Sequence, residues 1–265
     1  MSARRRADVL VLCYHAISED WPTPLAVTPG AFENQLTLLA SRGYRGVTFT
    51  EAALEDHTHK VVAVTFDDGY RSVSELAAPI LRRFGFSATV FVPTHYMGTE
   101  RPMSWPGIDE WIGGPHEQEL MPMSWERLRS LAADGWEIGA HTVTHPMLTK
   151  LGEADLNEEL IESRMECGRQ IGTTCRSIAF PYGDCDDRVI EASRKAGYSA
   201  VATIPWRLEQ RGRFVLPRTG IFRDDGRRVF RTKISPPIRR LRGSSLSPAL
   251  RPLVYRLRGV DTTPN

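Results

Sequence analysis

Seven short apolar runs, each four to six residues long, alternate with amphipathic stretches between residues 9 and 203. The runs are Val9–Tyr14, Tyr44–Phe49, Val61–Phe66, Ser87–Val92, Trp136–Ala140, Ser177–Phe180 and Ser199–Thr203. Val61-Val-Ala-Val-Thr-Phe66 is apolar nearly throughout, the pattern of a parallel strand covered on both faces. Between the runs, apolar residues recur at helical spacing and stop at a glycine placed as a C-terminal cap. Phe32, Leu36 and Leu39 precede Gly43; Leu76, Ile80 and Phe84 precede Gly85; Leu128 and Leu131 precede Gly135. Leu156, Leu160 and Ile171 precede Gly172, and Val189, Ile190 and Ala196 precede Gly197. This alternation requires an α/β fold around a parallel sheet, either open or closed into a barrel. Periodicity alone does not choose between the two. A chain of 265 residues is an ordinary length for one α/β barrel.

Composition removes several other classes. With 41% apolar and 25% charged residues the chain is not disordered, and no apolar run approaches the roughly 20 residues of a membrane span. The apolar stretch near the start, Val9 to Cys13, is too short for a signal-peptide core, so the expected location is the cytoplasm. Cys13, Cys167, Cys175 and Cys185 show no disulfide-scaffold spacing, which agrees with a reducing compartment. The net charge of +2 hides an asymmetry: residues 207–258 carry 15 Lys/Arg against three acids. Arg239-Arg240-Leu-Arg242, with Leu250, Leu253, Val254 and Leu257, mixes cations with apolar residues. That mixture is expected either to touch an anionic membrane peripherally or to stay solvated. It lacks the aromatic interleaving of a nucleic-acid binder, and no nucleic-acid partner is expected. The expected division is a catalytic domain over residues 8–220 and a basic C-terminal tail over 221–265.

Three motifs carry the chemistry. Thr65-Phe66-Asp67-Asp68-Gly69 closes the most apolar strand, where active sites of α/β proteins collect. Two adjacent carboxylates there repel each other unless a cation or a proton resolves the conflict; read alone, they also suit a helix cap and a turn. His141-Thr-Val-Thr-His145 follows Trp-Glu-Ile-Gly-Ala at another strand end, and if the chain enters a helical turn there, i,i+4 spacing puts both imidazoles on one side. An Asp with two His gives a divalent site with open positions for water and substrate. Ile178-Ala-Phe-Pro-Tyr-Gly183 ends a third strand. Its proline frees the next backbone N–H from sheet pairing, although Pro-Tyr-Gly alone reads first as a plain turn. The Gly-, Pro-, Met- and Trp-rich stretch from Pro93 to Pro122 reads as a long insertion over one end of the sheet.

In this order and spacing, the motifs resemble the polysaccharide deacetylase family (NodB homology, carbohydrate esterase family 4). Agreement runs over roughly residues 9–220 and includes Cys-Tyr14-His15-Ala-Ile, TFDDG, Gly-Phe-Ser-Ala-Thr-Val-Phe-Val, the HTVTH segment, Phe-Pro-Tyr-Gly and Leu216-Pro-Arg218. The resemblance implies a distorted (β/α)7 barrel with a basic C-terminal extension. It also implies metal-dependent removal of N-acetyl groups from N-acetylglucosamine-type sugars in a polysaccharide, oligosaccharide or glycoconjugate. By position, Asp67 is the expected general base and Asp68, His141 and His145 the metal ligands. Tyr182 is expected to supply an oxyanion-binding backbone N–H. The expected metal is Zn²⁺, with Co²⁺, Ni²⁺ or Mn²⁺ as alternatives, and the expected partner is a carbohydrate substrate.

Two departures shape the expectation. Many family members carry an Arg three residues before the motif tyrosine that holds the catalytic Asp; here that position is Ala179. Many also carry the general acid on a late His, yet no His follows His145 in this chain. His15, in a first-strand Tyr-His motif like that of poly-N-acetylglucosamine deacetylases, is the expected acid, the other reading being a core histidine. His95 and His116, in the insertion, are weaker candidates, and His57 and His59 read as solvated loop. Cys13 and Cys185 are expected to be bystanders rather than nucleophiles. Trp105, Trp111 and Trp125 suit either sugar stacking or packing. The alternatives are hydrolysis of a non-sugar linear amide or cyclic imide on the same barrel, or a catalytically weak carbohydrate-binding barrel.

Overall fold

All seven apolar runs fold as parallel strands, and the five capping glycines all sit at positive φ, between 63° and 91°. The computed structural model describes residues 8–204 and 212–242. In chain order its elements are β1 (Val9–Tyr14), β2 (Ala16–Ile17), β3 (Ala26–Val27), α1 (Pro29–Ser41), β4 (Arg45–Val47), α2 (Phe49–Leu54), β5 (Val61–Phe66) and α3 (Ala78–Phe84). These are followed by β6 (Thr89–Val92), α4 (Trp125–Ala133), β7 (Glu137–Ala140), α5 (Glu153–Ile171), β8 (Ser177–Ala179), α6 (Asp187–Lys195) and β9 (Ala200–Thr203). The last are β10 (Val215–Pro217), β11 (Thr219–Gly220), α7 (Arg227–Lys233) and α8 (Pro236–Arg242).

The sheet runs β10-β9-β8-β7-β6-β5-β1-β11. Its two edge strands are consecutive in the chain and separated only by Arg218. Leu216 pairs with Ala202 on one edge, and Thr219 pairs with Leu12 on the other. The chain therefore closes the sheet on itself, giving a barrel of seven staves, with β10 and β11 as the two halves of the last. The short β4 pairs the first half of β5, and β6 pairs the last two residues of β5. Periodicity left open sheet and barrel undecided; the segment that decides, Val215–Gly220, is too short and proline-interrupted to read as a strand from sequence.

Side chains alternate between the two faces of each stave. Leu10, Leu12, Val62, Val64, Val90 and Ile138 point outward into the main core beneath the helices. The opposite set, with Val11, Ala63, Phe91, Ala179, Ala202 and Leu216, fills the barrel, and Phe49, Ala52 and Ala53 of α2 belong to the same cluster. The interior is narrow: a Cβ on Gly139 would lie 2.5 Å from the Phe91 ring. Continuing inward along these faces toward the C-terminal ends come Cys13, Thr65 and Asp67.

The boundary expected at residue 220 cuts through packed structure. Ile221, Phe230 and Ile234 are buried in the main core, and Arg239 donates to the Val9 carbonyl at 2.9 Å and pairs with Asp8. Apolar residues at helical spacing, not charge, decide where this segment goes. Leu250, Leu253, Val254 and Leu257 lie outside the described residues. Among the described residues, no helix is long and apolar enough to cross a membrane.

Candidate active site

Every motif residue emerges at the C-terminal end of a stave: His15 after β1, Asp67 and Asp68 after β5, His141 after β7, Tyr182 just past β8, and Arg218 between β10 and β11. This edge also holds unusual backbone. Among the described residues, the four non-glycine positions with positive φ are Asp68 (70°), Thr142 (69°), His145 (65°) and Tyr182 (59°). Such conformations cost of order 1–3 kcal/mol each and persist only where the surroundings over-determine them.

The two adjacent carboxylates face different partners. Asp67 is 1% exposed and takes a bidentate pair from Arg218, Nη1 to Oδ1 at 2.6 Å and Nη2 to Oδ2 at 2.7 Å. Arg218 is itself fully buried and also donates from Nη1 to Thr65 Oγ1 at 2.9 Å. The Cys13 thiol donates to Asp67 Oδ2 at 3.3 Å. Burial alone raises a carboxyl pKa, but the Arg218 guanidinium and then His141 outweigh it and hold Asp67 below its usual range. Burial pushes the Cys13 thiol well up, so it stays protonated as the donor.

Asp68 turns the other way. Its Oδ1 lies 3.3 Å from His141 Nε2 and 3.4 Å from His145 Nε2, with no hydrogen-bond partner of its own. Burial again works to raise its pKa, and the two imidazoles hold it well below the ordinary value. His141 Nδ1 donates to the Ala179 carbonyl at 2.8 Å, which orients the ring so that Nε2 faces Asp68. His145 stacks on Trp105, with ring centroids 4.1 Å apart, and meets the Tyr182 ring edge-on at 4.8 Å. The donor set fits a divalent cation: one carboxylate and two imidazole nitrogens lie within 4.8 Å of one another, and the buried carboxylate oxygen between them lacks a proton donor.

His15 brings a ring nitrogen within 4.8 Å of both the Asp67 carboxylate and Cys13 Sγ, and its Nδ1 is buried without a partner. At Pro181–Gly183 the chain makes one 3₁₀ turn in which Gly183 donates to Phe180 and Asp184 to Pro181. The Tyr182 N–H precedes the first of these bonds. The Tyr182 side chain is 45% exposed, and its hydroxyl donates to the Pro106 carbonyl at 3.2 Å.

The sequence model described as polysaccharide deacetylase matches residues 55–201, more than half of the chain. The chain belongs to the polysaccharide deacetylase family. It is 26% identical over 187 residues to the poly-beta-1,6-N-acetyl-D-glucosamine N-deacetylase of Staphylococcus aureus, covering 65% of this chain and 59% of that protein. It is 30% identical over 145 residues to the chitooligosaccharide deacetylase of Sinorhizobium fredii, covering 53% and 55% of the two. The chain thus spans between half and three-fifths of these two relatives. The deacetylase PplD of Streptococcus pyogenes, solved with acetate, superposes with a TM-score of 0.71 at 23% identity, over 87% of this chain and all of that one. That likeness speaks for the fold.

Within this deacetylase frame, the structure gathers Asp67, Asp68, His15, His141, His145 and Tyr182 at one barrel mouth. Arg218 is the residue that sequence reasoning left without a role. The guanidinium on Asp67 comes from the closing stave, not from position 179, where Ala179 instead offers its carbonyl to His141. The sequence offered Leu216-Pro-Arg218 only within the family resemblance, with nothing local to pair Arg218 with Asp67. Cys13 donates its thiol to Asp67 and, held protonated by burial, is no nucleophile. Trp105 is buried and stacks on His145, so its ring face supports that imidazole. His95 is exposed and packs edge-on against Tyr96, and His116 lies against Trp111; neither joins a cluster of metal-ligating groups among the described residues.

Proposed function

We propose that this chain is a metal-dependent deacetylase that hydrolyses the N-acetyl group of N-acetylglucosamine-type sugars in a polymer, oligomer or glycoconjugate, releasing acetate and a free amine. The observation that carries the reading is the split between the adjacent carboxylates, one tied to Arg218 and one turned toward two histidines. Asp68, His141 and His145 would hold the cation, Zn²⁺ by choice of ligands. A divalent cation held there supplies Lewis-acid activation of water and of the acetyl carbonyl.

The remaining work falls to the chain's own residues. Asp67 offers about four lone-pair sites; Arg218 takes two, and Cys13 takes a second one on Oδ2. A site on Oδ1 remains for the water proton, making Oδ1 the general-base atom. The Tyr182 N–H donates to the oxyanion as it forms, a backbone donor fixed before the reaction starts. His15, with a ring nitrogen near Asp67, gives its proton to the departing nitrogen, without which an amide cannot release its amine. Relatives acting on poly-beta-1,6-N-acetyl-D-glucosamine and on chitooligosaccharides support this substrate class.

The test is acetate release from N-acetylglucosamine oligomers, with and without a strong chelator, beside a cyclic imide as counter-substrate. Chelator-sensitive acetate release is expected. Turnover of the imide alone would overturn the substrate class, and release unaffected by metal stripping would overturn the metal.

A further inference from the structure

The two histidines of the site are held by unlike means. His141 has the usual clamp, its Nδ1 bonded to the Ala179 carbonyl at 2.8 Å, and its backbone N–H bonded to Val92. His145 Nδ1 is buried with no partner at all. Its ring direction is therefore not set by a hydrogen bond on its far nitrogen. It is set by the Trp105 stack and by the backbone from which the side chain grows.

That backbone is strained and irregular. Residues 141–147 form neither helix nor strand, and Thr142 and His145 both have positive φ. Left to itself, a Thr or His at such angles relaxes toward ordinary regions, and each relaxation would swing the imidazole. Three sets of bonds oppose this. Thr94 and His95 donate to the carbonyls of Thr142 and Val143, and Thr142 Oγ1 accepts from the His145 N–H at 3.1 Å. The third set comes from one side chain on a separate element. Glu159 of α5 accepts from Val143 N at 2.7 Å and Thr144 N at 3.0 Å through Oε2, and from Thr144 Oγ1 at 2.6 Å through Oε1.

We propose that Glu159 is a positioning residue for metal binding: its carboxylate gathers two successive backbone N–H groups of the strained loop and so fixes His145 as a ligand. The inference rests on the metal site proposed above. A carboxylate accepting successive N–H groups makes strong charge-assisted bonds, and both Glu159 oxygens are used. Glu159 is half-buried and lies on the inward side of α5, one turn from buried Leu156 and Ser163, from where it reaches the loop. The helix is anchored independently by buried Leu156, Leu160, Ser163 and Cys167, so the Glu159 side chain adds little to the core.

The experiment measures metal affinity, not turnover. Purified wild type, Glu159→Ala, Glu159→Gln and His145→Ala are stripped, checked for native circular dichroism and melting temperature, and titrated with Zn²⁺ against a chromophoric chelator. Groups that orient metal ligands are typically worth about 10–100-fold in affinity. Glu159→Ala is expected to bind Zn²⁺ about 10–100-fold more weakly while melting close to wild type without metal. Glu159→Gln keeps one acceptor oxygen and is expected to fall between, which a purely packing role would not produce. Glu159→Ala binding Zn²⁺ within threefold of wild type, while His145→Ala loses it, overturns the positioning role and leaves the site intact. Wild type failing to bind Zn²⁺ overturns the site and the proposal together. Should Glu159→Ala melt far below wild type, the Glu159→Gln affinity decides: a value equal to wild type overturns the role.

Discussion

Asp67 and Asp68 are neighbours in sequence and equally buried, yet they inhabit two different regions of the molecule. Asp67 belongs to the barrel interior, in a closed set with Arg218, Thr65 and Cys13 drawn from three staves. Asp68, turned by a φ of 70°, belongs to the loop side, against two imidazoles from the chain after β7. Two bare carboxylates this close would force one to take a proton. Here each side has its own positive partner: a fixed guanidinium for one, and a site built for a cation at the other. The pair teaches that environment divides labour between identical side chains. The Asp67 side is already satisfied electrostatically and can act on a proton. The Asp68 side has an oxygen without a hydrogen-bond donor, and in the proposed function a cation completes it.

The predictions break or sharpen this division. The largest expected effect is on turnover: Asp67→Asn should lose about 10²–10⁴-fold in kcat, the usual scale for a general base, measured as acetate release at saturating oligomer. A loss below tenfold would move the base elsewhere. Next comes stability. Arg218→Ala leaves the Asp67 charge buried and unpaired, and should destabilise the fold by about 3–5 kcal/mol in denaturant unfolding. The same variant carries a pH signature. In wild type, Arg218 outweighs burial and holds the Asp67 pKa below its unfolded value, so its contribution is present above that value and is lost as pH falls through the folded one. Without Arg218, burial dominates and the folded pKa rises above the unfolded one. The Asp67 contribution to stability should then improve, not decline, as pH falls from 7 toward 5. An unchanged slope across that interval would mean Arg218 does not control Asp67. The smallest effect belongs to Tyr182→Phe, which removes one exposed bond to Pro106 and leaves the backbone N–H in place. Stability should change by no more than about 0.5–1.5 kcal/mol, with turnover close to wild type. A large fall in turnover would assign the chemistry to the phenol.

What the sequence made legible follows from locality. The runs Val9–Tyr14 and Val61–Phe66 match β1 and β5 residue for residue, because a parallel strand covered on both faces is continuously apolar. The glycine stops read well because a left-handed cap strongly favours glycine. HTVTH and TFDDG could be read because each motif is contiguous. The Arg218–Asp67 pair, 151 residues apart, could not be read, since only barrel closure brings the two together. The Glu159 contact was invisible for another reason: along α5 it looks like any acidic position, and nothing local shows that the helix packs against the loop 15–16 residues earlier. The expected end of the catalytic domain at residue 220 followed charge, whereas Phe230 and Ile234 follow the core.

The most direct test compares metal content of Asp67→Asn and Asp68→Asn, purified side by side with wild type and read by elemental analysis. If the two carboxylates serve different cations, Asp67→Asn retains about one divalent ion per chain and Asp68→Asn loses most of it. Equal loss in both variants, or full retention in Asp68→Asn, would contradict the division on which the whole site has been read.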